Sequence, residues 1–166
     1  MEVKLVKWSH AWEQEFEDEK CLLMEKLGNY IIDIDHVGST SIKGIMSKPI
    51  IDITVQSEIY PPTKEVLEIL GRLDYRHEGA GGFQGQYWFV KHRPVTHHLH
   101  WCPVAGIVVK RQCAFRDLLN ADNDLALQYQ ALKQDLARQF PNDTHRYTQR
   151  KNSFIEKVLV RAEMGV

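Results

Sequence analysis

The 166-residue sequence lacks several features that mark specialised classes of protein. It has no apolar run long enough for a membrane-spanning helix, so we expect no membrane span. Its three cysteines, Cys21, Cys102 and Cys113, are widely spaced and odd in number, which fits a reducing cytoplasm better than a disulfide framework. The N-terminal residues contain no apolar segment of the kind that a signal peptide requires, because the charged residues Glu2 and Lys4 interrupt it. We therefore predict no signal peptide and a cytoplasmic location.

An excess of charge of either sign is also missing. The formal net charge is -1 at pH 7, which provides no overall attraction to nucleic acid or to an anionic membrane. With 43% hydrophobic and 26% charged residues, the composition is that of a globular protein rather than a disordered one. The length predicts one domain spanning residues 1–166, and it leaves the oligomeric state open.

The spacing of apolar residues predicts an α/β or α+β domain. Trp12, Phe16, Leu23 and Leu27 recur at helical spacing between a predicted N-cap at Ser9 and a glycine stop. Alternating patterns predict strands at 30–37, 50–55, 75–78, 86–92 and 95–102, with a helix after residue 61 and a loose glycine-rich connection at 79–85. After residue 106 the period of about 3.6 predicts three further helices. This order favours a mixed sheet of about five strands covered by helices.

Residues 36–54, with the sequence HVGSTSIKGIMSKPIIDIT, contain the most informative motif. Gly38 allows a close backbone approach, and the amides and hydroxyls of Ser39 and Thr40 are suited to holding a phosphate. A carboxylate on the following strand, at Asp52, can hold a divalent cation beside that phosphate. The motif therefore predicts a nucleotide-handling site, although a turn followed by an N-cap explains Gly-Ser-Thr equally simply.

The chemistry of nucleotidyl transfer is incomplete on this strand. Two metals are usually held by acids two residues apart plus a third acid on a neighbouring strand, but the residue two after Asp52 is Thr54. Asp33 and Asp35 share a face of the preceding strand and are candidates for a second acid, or they form an ordinary solvent-facing surface, which is the favoured interpretation for Asp33. Because a buried carboxylate is costly without partners, Asp52 requires a metal, a cation such as Lys48, or several donors.

His98 and His100 lie on one face of a predicted strand, and such a pair can bind one metal. If this strand lies beside Asp52, His100 can replace the missing acid, with Asp52 and His100 as metal ligands. The expected ion is Mg²⁺ or Mn²⁺ ahead of Zn²⁺. Alternatively, the two histidines are hydrogen-bonded strand residues, or one of them is a base that acts without a metal.

Three cations are candidate phosphate ligands. Lys48 precedes the strand of Asp52, while Arg116 and Lys151 lie in the C-terminal helices, which can close over a ligand. The alternative interpretation is that these side chains are solvated at the surface.

The quoted motifs resemble the GrpB family. Its signature is close to H-[IV]-G-S-T-[AS]-V-P-G followed by K-P-I-I-D-I, which HVGSTSIKG and KPIIDI match here, apart from Lys43 in place of proline. Further likenesses are HLH at 98–100, FRDLL at 115–119 and LKQDLA at 132–137. The resemblance implies a nucleotidyltransferase-like fold, and related domains occur fused to dephospho-CoA kinase.

Three functions remain open at this point. The first is a nucleotide-binding protein whose reaction, if it is an enzyme, is nucleotidyl transfer with a divalent metal, using Asp52 with His98 or His100. The second is a non-catalytic nucleotide- or coenzyme-binding module that has lost the metal acids. The third is a metal-dependent hydrolase using the two histidines and the aspartate. The first two require a phosphate-bearing small molecule as partner.

Overall fold

A mixed five-stranded sheet is the centre of the computed structural model, which describes residues 2–80 and 84–163. The strands are β1 (Asp33–Val37), β2 (Ile51–Ser57), β3 (Tyr75–His77), β4 (Tyr87–Lys91) and β5 (His97–Pro103). Their order in the sheet is β1-β2-β5-β4-β3. The β2–β5 pair is parallel and the other pairs are antiparallel. The predicted mixed sheet of about five strands is therefore confirmed.

Two groups of helices cover the sheet. The first group is α1 (Ala11–Leu27) and α2 (Lys64–Arg72), and the second is α3 (Ile107–Ala121), α4 (Asn123–Gln139) and α5 (Thr144–Glu163). The Ser9 hydroxyl accepts a hydrogen bond from the Ala11 amide at the start of α1, and Thr63 caps α2. No helix in the described ranges is long and apolar enough to cross a membrane. The glycine-rich connection predicted at 79–85 lies partly outside the described residues.

One face of the sheet packs on α1 and α2. Because side chains alternate along a strand, Ile51, Ile53 and Val55 share this face of β2, and each is at most 1% exposed. They form one apolar cluster with residues of α1 that include Trp12 and Phe16. This cluster is the larger part of the core, and it fixes which side of β2 is left for polar residues.

The opposite face of the sheet lies under α3, α4 and α5. A second apolar cluster joins these helices to Ile42 and Ile45, which belong to the connection between β1 and β2. The intervening residues of β2 and β5 point toward this layer, so the polar residues of both strands face it. In the parallel register, Asp52 lies opposite His98, and Thr54 lies opposite His100.

A buried ion pair connects α1 to strands β4 and β3, at the edge of the sheet farthest from β1. Lys91 Nζ donates to both carboxylate oxygens of Glu19, at 2.9 and 2.7 Å, and the Tyr75 hydroxyl donates to the same carboxylate at 2.9 Å. The Glu19 and Lys91 side chains are only 7% and 9% exposed. The charges compensate each other locally, so the cost of removing one partner should be large.

We predict that Lys91→Met lowers the free energy of unfolding by about 3–5 kcal/mol, because it leaves the Glu19 carboxylate buried without its cation. Urea denaturation monitored by circular dichroism measures this. The double variant Glu19→Gln/Lys91→Met should recover much of the loss, and Lys64→Met, at an exposed position, is the control. Equal stability of Lys91→Met and the native protein would contradict the importance of this pair.

Candidate functional site

The parallel pairing of β2 with β5 brings three predicted site residues together. His98 Nδ1 lies 2.9 Å from Asp52 Oδ1 and donates a hydrogen bond to it. His100 Nε2 lies 4.0 Å from the same oxygen. The first distance is that of a hydrogen bond and the second is not, so His98 orients the carboxylate while His100 faces it across a gap.

The hydrogen-bond partners of His100 define its tautomer. Gln86 donates through Nε2 to the Ala80 carbonyl at 2.8 Å, so its amide oxygen faces His100 Nδ1, also at 2.8 Å. An amide oxygen only accepts, so Nδ1 carries a proton, and Nε2 carries the lone pair whenever the ring is neutral. The atom that faces Asp52 is therefore the one suited to bind a metal ion or accept a proton.

Asp52 is held in its charged form. Burial raises its pKa, but the neighbouring imidazoles of His100 and His98 lower it by more, so the pKa of this carboxyl lies well below its ordinary value of 3.8. Its side chain remains 26% exposed on the side of the helical layer. A carboxylate that is charged, oriented and still accessible can accept a cation.

Gly38 packs directly against this carboxylate. Its φ of 70° and ψ of -173° lie in a region that is almost exclusive to glycine. A Cβ atom at this position would lie 2.2 Å from Asp52 Oδ2, which is closer than any real contact. The Gly-Ser turn therefore uses glycine for two reasons, its backbone conformation and its contact with Asp52.

Ser39 faces the helical layer, whereas Thr40 does not. Ser39 Oγ donates to the Tyr129 hydroxyl at 3.5 Å. Thr40 is 1% exposed, and its hydroxyl donates to the Ile50 carbonyl and lies 3.0 Å from His36 Nε2. The Thr40 side chain thus stabilises the turn from behind, and the structure does not place it among the residues that a ligand would contact.

His36 also supports the turn rather than joining the other histidines. Its ring stacks on Phe16 of α1 at 4.7 Å, on the opposite side of the sheet from Asp52. Burial lowers the pKa of His36 to about 4, so it is neutral at pH 7. Lys43, which replaces the proline of the family signature, forms an ion pair with Glu13 of α1 at 3.0 Å and does not contribute to the site.

A cavity of about 240 Å³ lies between the polar face of the sheet and helices α3 to α5. Five of the predicted site residues line it: Gly38, Ser39, Asp52, His100 and Lys151. Much of the remaining wall is apolar and comes from α3 and α5. This combination of an apolar wall with a few convergent polar groups is typical of small-molecule sites, although the volume is slightly below their usual range.

Three lysines form what we call the lysine cluster: Lys48, Lys133 and Lys151. Of these, only Lys151 is among the residues that line the cavity, and the predicted ligand Lys48 is not. Lys48 Nζ and Lys151 Nζ lie 5.4 and 4.6 Å from the centre of the Tyr147 ring. Lys133 Nζ lies 4.8 Å from the centre of the Tyr129 ring. Burial lowers the pKa of Lys133 to about 7 and that of Lys151 to about 8, and it also lowers the pKa of Lys48.

Arg116 is placed elsewhere. Its Nη1 lies 3.1 Å from Asp35 Oδ1 and donates to the His36 carbonyl at 3.0 Å, while its Nε pairs with Asp117. Arg116 is not among the residues that line the cavity, because these acceptors hold its guanidinium at β1. The same contacts engage Asp35, the candidate second acid, in an ion pair beside Thr54 rather than beside Asp52.

The position at which a second metal-binding carboxylate is expected is occupied by Thr54, which makes a hydrogen bond between two neutral groups. Thr54 is 0% exposed, and its hydroxyl donates to the Gln112 amide oxygen on α3. Over the described residues, no group of three His, Cys, Asp or Glu side chains is arranged to hold a metal ion. A cation at Asp52 and His100 would therefore have two protein ligands and would take the others from water or a bound ligand.

Several lining residues were not predicted from the sequence. Arg111 of α3 pairs with Glu156 of α5 beside the cavity. Tyr129 belongs to the apolar stripe of α4, which indicated a core position rather than a site. Lys133 does not line the cavity, but it is fully buried four residues after Tyr129 and lies over the ring of that tyrosine. A charged residue at an inward-facing helix position was the signal that could have identified it.

The chain resembles known proteins along nearly its whole length. The family model described as GrpB protein matches residues 2–161. The chain is 37% identical over 164 residues to the glutamate-rich protein GrpB of Alkalihalophilus pseudofirmus, covering 95% of this chain and 94% of that protein. It is 32% identical to the UPF0157 protein YqkA of Bacillus subtilis, covering 93% of this chain but 45% of that protein. The crystal structure of the conserved protein GrpB from Enterococcus faecalis matches with a TM-score of 0.82 and 30% identity, covering 93% and 94% of the two chains.

Replacing Gly38 tests the contact between the turn and Asp52. We predict that Gly38→Ala lowers the free energy of unfolding by about 3 kcal/mol or more, because it combines an unfavourable backbone conformation with overlap of the Asp52 carboxylate. Gly44→Ala is the matched control, since Gly44 also has a positive φ of 81° but has open space where the new methyl group would lie, with nothing within 4 Å. It should lose only about 1 kcal/mol. Equal losses in urea denaturation would contradict the overlap.

The lowered pKa of Lys133 predicts a dependence of stability on pH. The unfolded chain binds a proton at Lys133 up to about its ordinary pKa of 10.5, whereas the folded protein releases it near 7. Stability should therefore rise with pH, and between pH 7 and 9 this one group should contribute about 2 kcal/mol. Lys133→Met should flatten the rise measured by urea denaturation at the two pH values. An unchanged slope in this variant would contradict the assignment.

Proposed function

This chain belongs to the GrpB family, and we propose that it is a nucleotide-binding protein with a nucleotidyltransferase-like core. The nucleotide phosphates would lie in the cavity between Ser39 and Lys151, with one divalent cation at Asp52 and His100. The observation that carries this proposal is that one cavity contains the Gly38–Ser39 turn, an oriented carboxylate and a partly buried lysine.

The donor atoms suit a cation that arrives with its ligand. Asp52 offers a carboxylate oxygen, and the neutral form of His100 offers the lone pair of Nε2, which faces that oxygen at 4.0 Å. Mg²⁺ usually takes one or two protein carboxylates and completes its shell with water and phosphate oxygens. An imidazole ligand shifts the preference from Mg²⁺ toward softer ions, so Mn²⁺ is the better probe of this pair.

Nucleotidyl transfer is the reaction that we propose for this cavity. A divalent cation bound there would neutralise the charge that develops on the phosphate undergoing transfer. The protein's own contribution is positional: His98 holds the Asp52 carboxylate, the Gly38–Ser39 turn limits the approach of the ligand, and Lys151 attracts the phosphate. Fixed donors of this kind stabilise transferring phosphoryl groups because they need no reorganisation.

A non-catalytic binding module is the second candidate, and one observation favours it. Thr54 occupies the position of the second acid and is satisfied by Gln112 in a fully buried setting. A site with one carboxylate can still bind a nucleotide with one cation, but it lacks the usual two-metal arrangement. The two candidates share the ligand and differ in turnover.

Thermal-shift measurements with the four nucleoside triphosphates and with coenzyme A precursors, each with and without Mn²⁺ or Mg²⁺, test the shared proposal. A ligand at about 100 times its Kd should stabilise the protein by about 2.7 kcal/mol, which raises the Tm by several degrees. We expect a cation-dependent shift that Asp52→Asn abolishes. Asp33→Asn, at an exposed position on β1, should retain it.

Transfer of label from an α-labelled triphosphate then separates the two candidates. Label found on an acceptor or in released mononucleotide, and lost in Asp52→Asn, would support the enzyme. Nucleotide binding without any turnover would support the module. Absence of a shift with every nucleotide, or a shift that persists unchanged in Asp52→Asn, would reject a nucleotide site at Asp52.

A further inference from the structure

The lysine cluster has an unusual charge balance. Lys133 is 0% exposed, and its ammonium group donates to the Met46 carbonyl and to Ser47 Oγ, both neutral acceptors. In the part of the chain that the structure describes, Lys48 and Lys151 contact the face of an aromatic ring rather than a carboxylate. Burying an ammonium group without an anion is costly, so this arrangement is not explained by stability.

Lys91 is also buried, but it has a carboxylate partner. Lys91 lies within 2.9 Å of both oxygens of Glu19 on the opposite side of the sheet. The carboxylate that influences Lys48 and Lys151 is Asp52, which already accepts a hydrogen bond from His98. Lys91 therefore has a carboxylate partner of its own, whereas over residues 2–80 and 84–161 the lysine cluster has none.

Two tyrosine rings contact the ammonium groups of the lysine cluster. The Tyr147 ring contacts both Lys48 and Lys151, and the Tyr129 ring contacts Lys133. Cation–π contacts compensate part of the desolvation of an ammonium group but leave its charge intact. Lys151 and Ser39 line the same cavity, and Tyr129 both contacts Lys133 and accepts a hydrogen bond from Ser39, so positive charge borders the part of the cavity next to Ser39.

We propose that Ser39 and the lysine cluster form a seat for a phosphate group that carries two negative charges. The bound compound thus presents a phosphomonoester or a diphosphate end, rather than the singly charged phosphodiester of a nucleic-acid backbone. Lys151 contacts the phosphate, Lys48 contacts the same Tyr147 ring as Lys151 does, and Lys133, protonated when the dianion binds, contributes its charge from behind the Tyr129 ring. This proposal rests on the proposed function for the location of the nucleotide, but it requires no divalent cation.

The position of Asp52 makes the two proposals separable. With a cation present, the carboxylate attracts the complex of metal and nucleotide. Without a cation, the same carboxylate repels a phosphate bound nearby. Asp52→Asn should therefore abolish cation-dependent nucleotide binding, yet leave the binding of a cation-free phosphate equal or stronger.

Isothermal titration with inorganic pyrophosphate, at low ionic strength in buffer stripped of divalent cations, tests the seat. We expect the native protein to bind pyrophosphate, with dimethyl phosphate at least tenfold weaker. Lys151→Met should weaken pyrophosphate binding at least tenfold, whereas Lys157→Met, at an exposed position on the same helix, should not change it. Asp52→Asn should bind pyrophosphate at least as tightly as the native protein does.

Stability provides a second readout that a merely structural lysine would not give. Lys151→Met removes a partly buried charge that has no carboxylate partner among the described residues, so its Tm should equal or exceed that of the native protein while binding is lost. Should that variant misfold, Lys48→Met supplies the same comparison. The seat is overturned if the native protein does not bind pyrophosphate, if dimethyl phosphate binds as tightly, or if the folded lysine variant binds normally. Pyrophosphate binding without any cation-dependent nucleotide binding would support the seat and reject the proposed function.

Discussion

The hydrogen bond between His98 and Asp52 is the interaction on which the site depends. It exists because β2 and β5 pair in parallel and in a register that sets these two residues side by side. The imidazoles keep the carboxylate charged in a setting where burial opposes that charge. Everything else in the cavity is arranged around the charged group: Gly38 lies against its second oxygen, and His100 faces its first.

Two charge clusters lie on opposite sides of the sheet and differ in how their charges are balanced. On the side of α1, Glu19, Lys91 and Tyr75 satisfy one another, and they connect distant parts of the chain. On the side of α4 and α5, the lysine cluster has no such partner among the side chains that the structure describes. Proteins commonly accept a local loss of stability where function requires an unsatisfied group, and the asymmetry between the two clusters fits that pattern.

Much of the fold was predictable because it follows local periodicity. The alternation of isoleucine with polar residues in β2 assigned its two faces correctly, and the change of period after residue 106 located the three C-terminal helices. The predicted neighbourhood of Asp52 and His100 depended on β2 and β5 being adjacent, and this pairing joins strands that are separated by two others along the chain. The motif made that adjacency plausible, and only the three-dimensional structure could supply it.

The roles of individual side chains were less predictable. Arg116 and Thr40 belong to suggestive motifs, yet local acceptors at β1 and Ile50 engage them. Val37 lines the cavity on the side of Asp52, but the neighbouring residue His36 points to the opposite face of the sheet, because side chains alternate along a strand. Lys133 lies in an apolar stripe, where sequence patterns treat a lysine as an interruption rather than as a buried group. Such choices depend on tertiary partners, which periodicity does not encode.

The contact between Gly38 and Asp52 has a consequence for the way this family diverges. A side chain at position 38 would occupy the space of the carboxylate at position 52, so the two positions cannot drift separately. A descendant that abandons the acid is freed from the steric limit at 38, though it keeps the limit on backbone conformation, while one that keeps the acid is bound to glycine. The two residues thus form one unit shared between a turn and the strand that follows it, and a homologue without an acid at position 52 is the one in which the steric limit at position 38 is removed.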